Sequence, residues 1–98
     1  MLNSKQRAKL KSIASTEDTI LQVGKNGVID TLVVQVNDAL KARELIKMKV
    51  QENCMLSPAE AANELAEKTK SEVVQVIGSK FVLFKRNPQN PKIVLKTK

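Results

Sequence analysis

Along most of its length this chain alternates between a hydrophobic period of about 3.6 residues and a period of 2, and holds neither for long. After Ser4, residues 5–14 place Leu10, Ile13 and Ala14 within about one helical face, which predicts a first helix. Thr19–Val23 is a short run of β-formers. Ile29, Leu32, Val33, Val36, Ala39 and Leu40 then recur at helical spacing, predicting an amphipathic helix over about 28–42. Asp30 in its first turn suits the positive end of the helix dipole. In the next segment Ile46, Met48 and Val50 share one face while Lys47 and Lys49 point the other way, so it reads as a strand. Ser57-Pro58-Ala59-Glu60 starts a third helix: a Ser cap, Pro at the first position and Glu reaching back. That helix runs through Ala62, Leu65 and Ala66 to about Thr69. Two apolar runs, 72–77 and 80–85, flank Gly78-Ser79, a pair suited to a type II′ hairpin. Pro88 and Pro91 break the chain before Ile93-Val94-Leu95, an expected edge strand.

The expected fold is α/β, a single compact domain of order α-β-α-β-α-β-β with a small mixed four-stranded sheet and packed helices. Helical crossovers imply parallel neighbours, and the Gly78 hairpin adds one antiparallel pair. Pattern alone leaves open whether the helices cover one face or both. The 98 residues leave no room for a second core, and with Phe81 and Phe84 as the only aromatics the interior must be Leu, Ile, Val and Ala. No apolar run approaches the ~20 residues of a membrane span. The basic N-terminus lacks the apolar stretch of a signal peptide. Cys54 has no internal disulfide partner, which fits the reducing cytoplasm expected for this protein.

Charge is segregated. The net charge is +7, yet all ten acidic residues fall between Glu17 and Glu72. Lys5, Arg7, Lys9 and Lys11 precede them without an acid among them, and Lys80, Lys85 and Arg86 follow within an acid-free C-terminal stretch. If the two ends meet in space they form one positive face for an anionic partner.

Catalysis has little to stand on. Without histidine, the commonest general base and metal ligand near neutral pH is missing. Cys54, between a strand and a capped helix, reads as a packed structural thiol. Glu60, Glu64 and Glu67 share a helix face with Lys68, the pattern of a solvated surface. No enzyme activity, cofactor, metal site or small-molecule substrate is expected.

Gly24-Lys25-Asn26-Gly27 is the strongest candidate site. Its glycines let the backbone approach a ligand, and Lys25 and Asn26 are donors between them. A helix starting just beyond would aim its free N–H groups at that turn. The spacing is neither that of a Walker-type phosphate loop nor of a dinucleotide fingerprint. A GxxG loop that clamps a nucleic-acid backbone is the device of KH domains, where it lies between two helices rather than after a strand. Nucleic-acid contact and a plain structural turn both remain open on the residues alone. Two phenylalanines cannot build a stacking platform, so any binding rests on the backbone and weakens steeply with salt.

Three motifs occur in order: Val23-Gly24-Lys25-Asn26-Gly27-Val28, Glu44-Leu45-Ile46-Lys47-Met48-Lys49-Val50, and the run from Val74 through Gly78-Ser79-Lys80-Phe81 to Lys85-Arg86. Together they resemble the CRM domain (chloroplast RNA splicing and ribosome maturation) in its free-standing bacterial YhbY form. The match covers about 4–86, leaving 87–98 as a basic C-terminal segment. The resemblance implies a fold similar to the C-terminal domain of bacterial translation initiation factor three. It also implies RNA binding, and association with precursors of the large ribosomal subunit. It carries RNA contact to Gly24, Lys25, Asn26 and Gly27, and more loosely to Lys5, Arg7, Lys9 and Lys11. Phe84 stands where the family often has tyrosine, and Arg43 where it often has histidine; neither change touches the loop.

The expected function is therefore an RNA-binding module of ribosome assembly. The Gly24–Gly27 loop would hold phosphate, and Lys80, Lys85 and Arg86 would join the first helix in a wider positive field. A DNA-binding basic protein and a protein–protein adaptor are the alternatives.

Overall fold

The computed structural model describes residues 4–86. Helix α1 (Ser4–Ala14), strand β1 (Thr19–Val23), helix α2 (Asp30–Arg43), strand β2 (Leu45–Val50), helix α3 (Pro58–Thr69) and strands β3 (Glu72–Ile77) and β4 (Lys80–Phe84) follow in the expected order. The edge strand expected at Ile93-Val94-Leu95 lies outside the described residues.

The sheet is mixed and four-stranded, in the order β1-β2-β4-β3. β1 and β2 are parallel neighbours across the α2 crossover. The α3 crossover does not deliver parallel neighbours: β4 folds back from the hairpin and fills the slot beside β2, antiparallel to both β2 and β3. Gly78 takes φ +56 at the first central position of that hairpin, and Ser79 is not among the positive-φ residues, as a type II′ turn requires.

Helices lie on both faces. α2 and α3 bring Leu32, Val36, Leu40, Ala61, Ala62 and Leu65 onto Val23, Ile46, Met48, Val50, Phe81 and Leu83. On the other face α1 brings only Leu10 and Ala14, with Ile13 partly buried, onto Leu45, Val74, Val82 and Phe84. The two phenyl rings serve opposite cores, Phe81 under α2 and α3 and Phe84 under α1.

α2 begins at Asp30, two residues later than its hydrophobic period predicts, and runs one residue further, to Arg43. Gly27 sits at φ +74, and Ile29 caps the helix in an extended conformation. Val28 still packs on the core, so its apolar character reports burial rather than helix. At its other end α2 stops on Glu44, fully buried at φ +63. The Glu44 N–H donates to the Leu40 carbonyl, and its own carbonyl accepts from Lys85 N–H.

α3 carries the full capping box: Glu60 N–H donates to the Ser57 hydroxyl at 3.2 Å and Ser57 N–H to the Glu60 carboxylate at 2.9 Å. The Ser57 N–H, and secondarily its hydroxyl, hold the Glu60 carboxyl below its ordinary range. A carboxyl whose pKa is lower folded than unfolded adds stability above its unfolded value, and that stability is lost as pH falls through the folded one. Ser57→Ala is expected to lower the unfolding free energy by about 1 kcal/mol. In Glu60→Ala the loss of stability on acidification is expected to be shallower than in the parent, as followed by urea denaturation across the acid range.

Candidate nucleic-acid interface

Strand alternation puts Lys47 and Lys49 of β2 on the α1 face, opposite the core-facing Ile46, Met48 and Val50. Lys49 pairs across the sheet with Lys80 of β4 on one side and with Gln22 of β1 on the other. Lys80 in turn pairs with Ile77 of β3. Gln22, Lys49, Lys80 and Ile77 thus form one row across all four strands, and every member is exposed. α1 covers the half of this face nearer the start of β2 and leaves the row open.

The second row holds Lys47 and Val82, with Gln75 on β3. Between it and the end of α1 lies a groove of about 280 Å³, with Lys11, Ser15, Lys47, Gln75, Ile77 and Lys80 around it and Ala14 and Val82 among its lining. α1 and the four strands carry Lys5, Arg7, Lys9, Lys11, Lys47, Lys49 and Lys80 against one acid, Glu72, at the far end of β3. α2 and α3 carry Asp30, Asp38, Glu60, Glu64 and Glu67 against Lys41, Arg43 and Lys68. The sheet therefore separates a cationic side from a mildly acidic one.

The Gly24–Gly27 turn joins the open row at the β1 edge. Gln51 donates to Gln22 Oε1 at 2.9 Å, and its own Oε1 lies 3.7 Å from where a Cβ on Gly24 would stand. Lys25 and Asn26 are exposed. Within the turn Gly27 N–H donates to the Gly24 carbonyl at 3.0 Å, so that amide closes the turn and is not offered to a ligand. Only Gly27 needs glycine for its conformation: at φ +74 a Cβ would be strained and would meet Leu56 at 3.4 Å.

The remaining candidates from sequence divide. Lys80 and Lys11 stand with the turn at one end of the sheet. Lys85 and Arg86 follow Phe84, which pairs with Leu45, and so lie at the opposite end. Six residues of strand, about 20 Å, separate the two ends. Arg7 is committed to the fold: its Nη1 donates to the Val73 carbonyl at 2.6 Å and more weakly to Val74 at 3.4 Å. Lys5 and Lys9 are exposed on α1. Lys47 and Lys49 were not singled out from sequence, although their alternation with Ile46, Met48 and Val50 was the available signal. Lys47 also donates to the Ala14 carbonyl at 3.4 Å, closing the end of α1. Among the described residues no cluster of His, Cys, Asp or Glu is arranged to hold a metal.

A three-layer α/β domain with a lysine row across a face whose strands carry one acid, Glu72 at the far end, belongs to the class built to lie against an anionic polymer. The model of the CRS1/YhbY (CRM) domain matches residues 2–85, and the chain belongs to this family. The Probable RNA-binding protein YqeI of Bacillus subtilis is 42% identical over 95 residues, spanning 97% of this chain and 99% of YqeI. An RNA-binding protein of Haemophilus influenzae is 32% identical over 97 residues, 99% of this chain and 97% of its own. The solution structure of SAV1595 from Staphylococcus aureus, a candidate RNA-binding protein, superposes with a TM-score of 0.82 at 42% identity, covering 98% of this chain and all of that one.

Lys49 and Lys80 face each other directly across β2 and β4, a like-charge pair that weakens the sheet. Lys80→Glu is expected to raise stability by a few tenths of a kcal/mol, within the roughly 0.2–1 kcal/mol of cross-strand charge pairs. Arg7→Ala is expected to lower it by about 1.5 kcal/mol or more, as for hydrogen bonds from charged donors. Thermal denaturation of the two variants should move the midpoint in opposite directions.

Proposed function

We propose that the protein binds RNA with its α1 face, along the row that runs from the Gly24–Gly27 turn through Lys49 to Lys80, and that it acts in assembly of the large ribosomal subunit. The observation that carries this reading is the acid-free lysine row, on a fold whose relatives are named RNA-binding proteins. Lys11, Lys25, Lys49 and Lys80 would each meet a phosphate; Lys5 and Lys9 extend the field along α1. Lys85 and Arg86, at the far end of the sheet, are at most an outer contact. Asn26 would donate to sugar or phosphate, and the backbone at Gly24 would lie close to the strand.

About four phosphate contacts give a log–log salt slope near −3. Lys25→Ala and Lys49→Ala are each expected to reduce that slope by a little under one, measured by fluorescence anisotropy on a structured ribosomal RNA fragment. Gly24 is not at positive φ and has space for a methyl group, so Gly24→Ala should fold like the parent. Loss of RNA affinity in that variant would mark close approach of the RNA backbone, whereas unchanged affinity would leave the loop a structural turn. Co-sedimentation of the tagged protein with precursors of the large subunit, abolished by nuclease, tests the assembly role. Equal binding of duplex DNA at the same salt would point to a general nucleic-acid binder instead.

A further inference from the structure

The groove between the end of α1 and the β3–β4 hairpin differs in chemistry from the lysine row beside it. Ile77 stands in its wall 61% exposed, an apolar side chain next to Lys80. The carbonyls at the end of α1 are already taken: Lys11 by Ser15 N–H, Ser12 by the Ser15 hydroxyl, Ile13 by Thr16, and Ala14 by Glu17 N–H and Lys47. At that end the negative pole of the helix offsets the Lys11 and Lys47 cations, so it draws a phosphate less strongly than the Lys49–Lys80 end does. The other end opens onto Lys49 and Lys80, whose mutual repulsion an anion between them relieves. One end thus suits an uncharged planar group and the other a phosphate. With about 280 Å³ the groove is at or below the lower edge of the ~300–1,000 Å³ of small-molecule sites, enough for one nucleoside-sized group.

We propose that this groove seats a single unpaired nucleotide of the bound RNA. Its base lies against Ile77 and Val82, the Gln75 amide meets the base edge, and its phosphate sits between Lys49 and Lys80. The inference rests on the RNA-binding reading of the α1 face, and it adds a preference for RNA in which a base is free of its stack. Extruding a base from a bulge requires less unstacking than opening a paired duplex.

The test compares two RNAs at one salt concentration, a fully paired hairpin stem and the same stem with a single-purine bulge. The bulged RNA is expected to bind about tenfold more tightly. Ser15→Phe blocks the groove and Ile77→Ser removes its apolar wall; both positions are exposed and neither variant changes charge. Each is expected to abolish the preference for the bulge while leaving affinity for the paired stem and its salt slope unchanged. Equal binding of the two RNAs by the parent, or a preference that survives both variants, would overturn the proposal while leaving the cationic face intact. Failure of either RNA to bind the parent would overturn the RNA-binding reading, and the nucleotide seat with it.

Discussion

The alternation in β2 is what the rest of the structure depends on. Ile46, Met48 and Val50 close the larger core beneath α2 and α3, while Leu45, Lys47 and Lys49 face α1. Both neighbours of β2 are fixed by the same register, β1 in parallel and β4 antiparallel. A slip of one residue would turn two lysines into an apolar interior and expose Ile46 and Met48. The burial that stabilises the fold and the presentation of charge are therefore one constraint. Register cannot relax on one face without being lost on the other.

The two faces are covered unequally. α2 and α3 bury a broad apolar surface, whereas α1 contributes Leu10, Ala14 and part of Ile13. Such a small patch is a weak anchor, and two cation-to-carbonyl hydrogen bonds fasten the helix as well: Arg7 to the β3 backbone near its start and Lys47 to the Ala14 carbonyl at its end. Both cations come from the positive surface itself. A wider or more apolar α1 would pack better, but it would cover Lys49 and Lys80. The thinness of this layer leaves the row open.

Element order was legible in the sequence because each helix and strand announces itself locally: the period of the 28–42 stretch, the Ser57 capping box, the alternation after Leu45, the Gly78 turn. What was not legible depends on partners distant in the chain. β4 entering between β2 and β3 is a choice of pairing, and no local pattern records it. The same holds for the candidate site. Lys11 and Lys80 lie at the same end of the sheet as the Gly24–Gly27 turn because of that strand order, and Lys85 and Arg86 are carried away by it. Arg7 looked like one more basic residue of α1; only the carbonyl of Val73, sixty-six residues away, shows that it serves the fold. The late start of α2 has a different cause. Val28 and Ile29 fit the helical period, but Gly27 at φ +74 leaves the chain extended there.

Charge separation across the sheet also restricts how an anionic polymer can approach. Asp30, Asp38 and the Glu60–Glu64–Glu67 ridge lie on the α2–α3 side, where a phosphate chain would meet repulsion. The α1 side offers no acid along the strands until Glu72 at its far end. A polymer steered by this field would arrive on the α1 face, where α1 itself covers the half above Leu45 and Phe84. Among the described residues the open track is the row from the Gly24–Gly27 turn to Lys80, two strand spacings or about 10 Å long. With RNA on this row as proposed, a track so short would grip only a few nucleotides. Selectivity among RNAs would then come from their local shape at the track and groove, since too few bases would be within reach for a long sequence to be read.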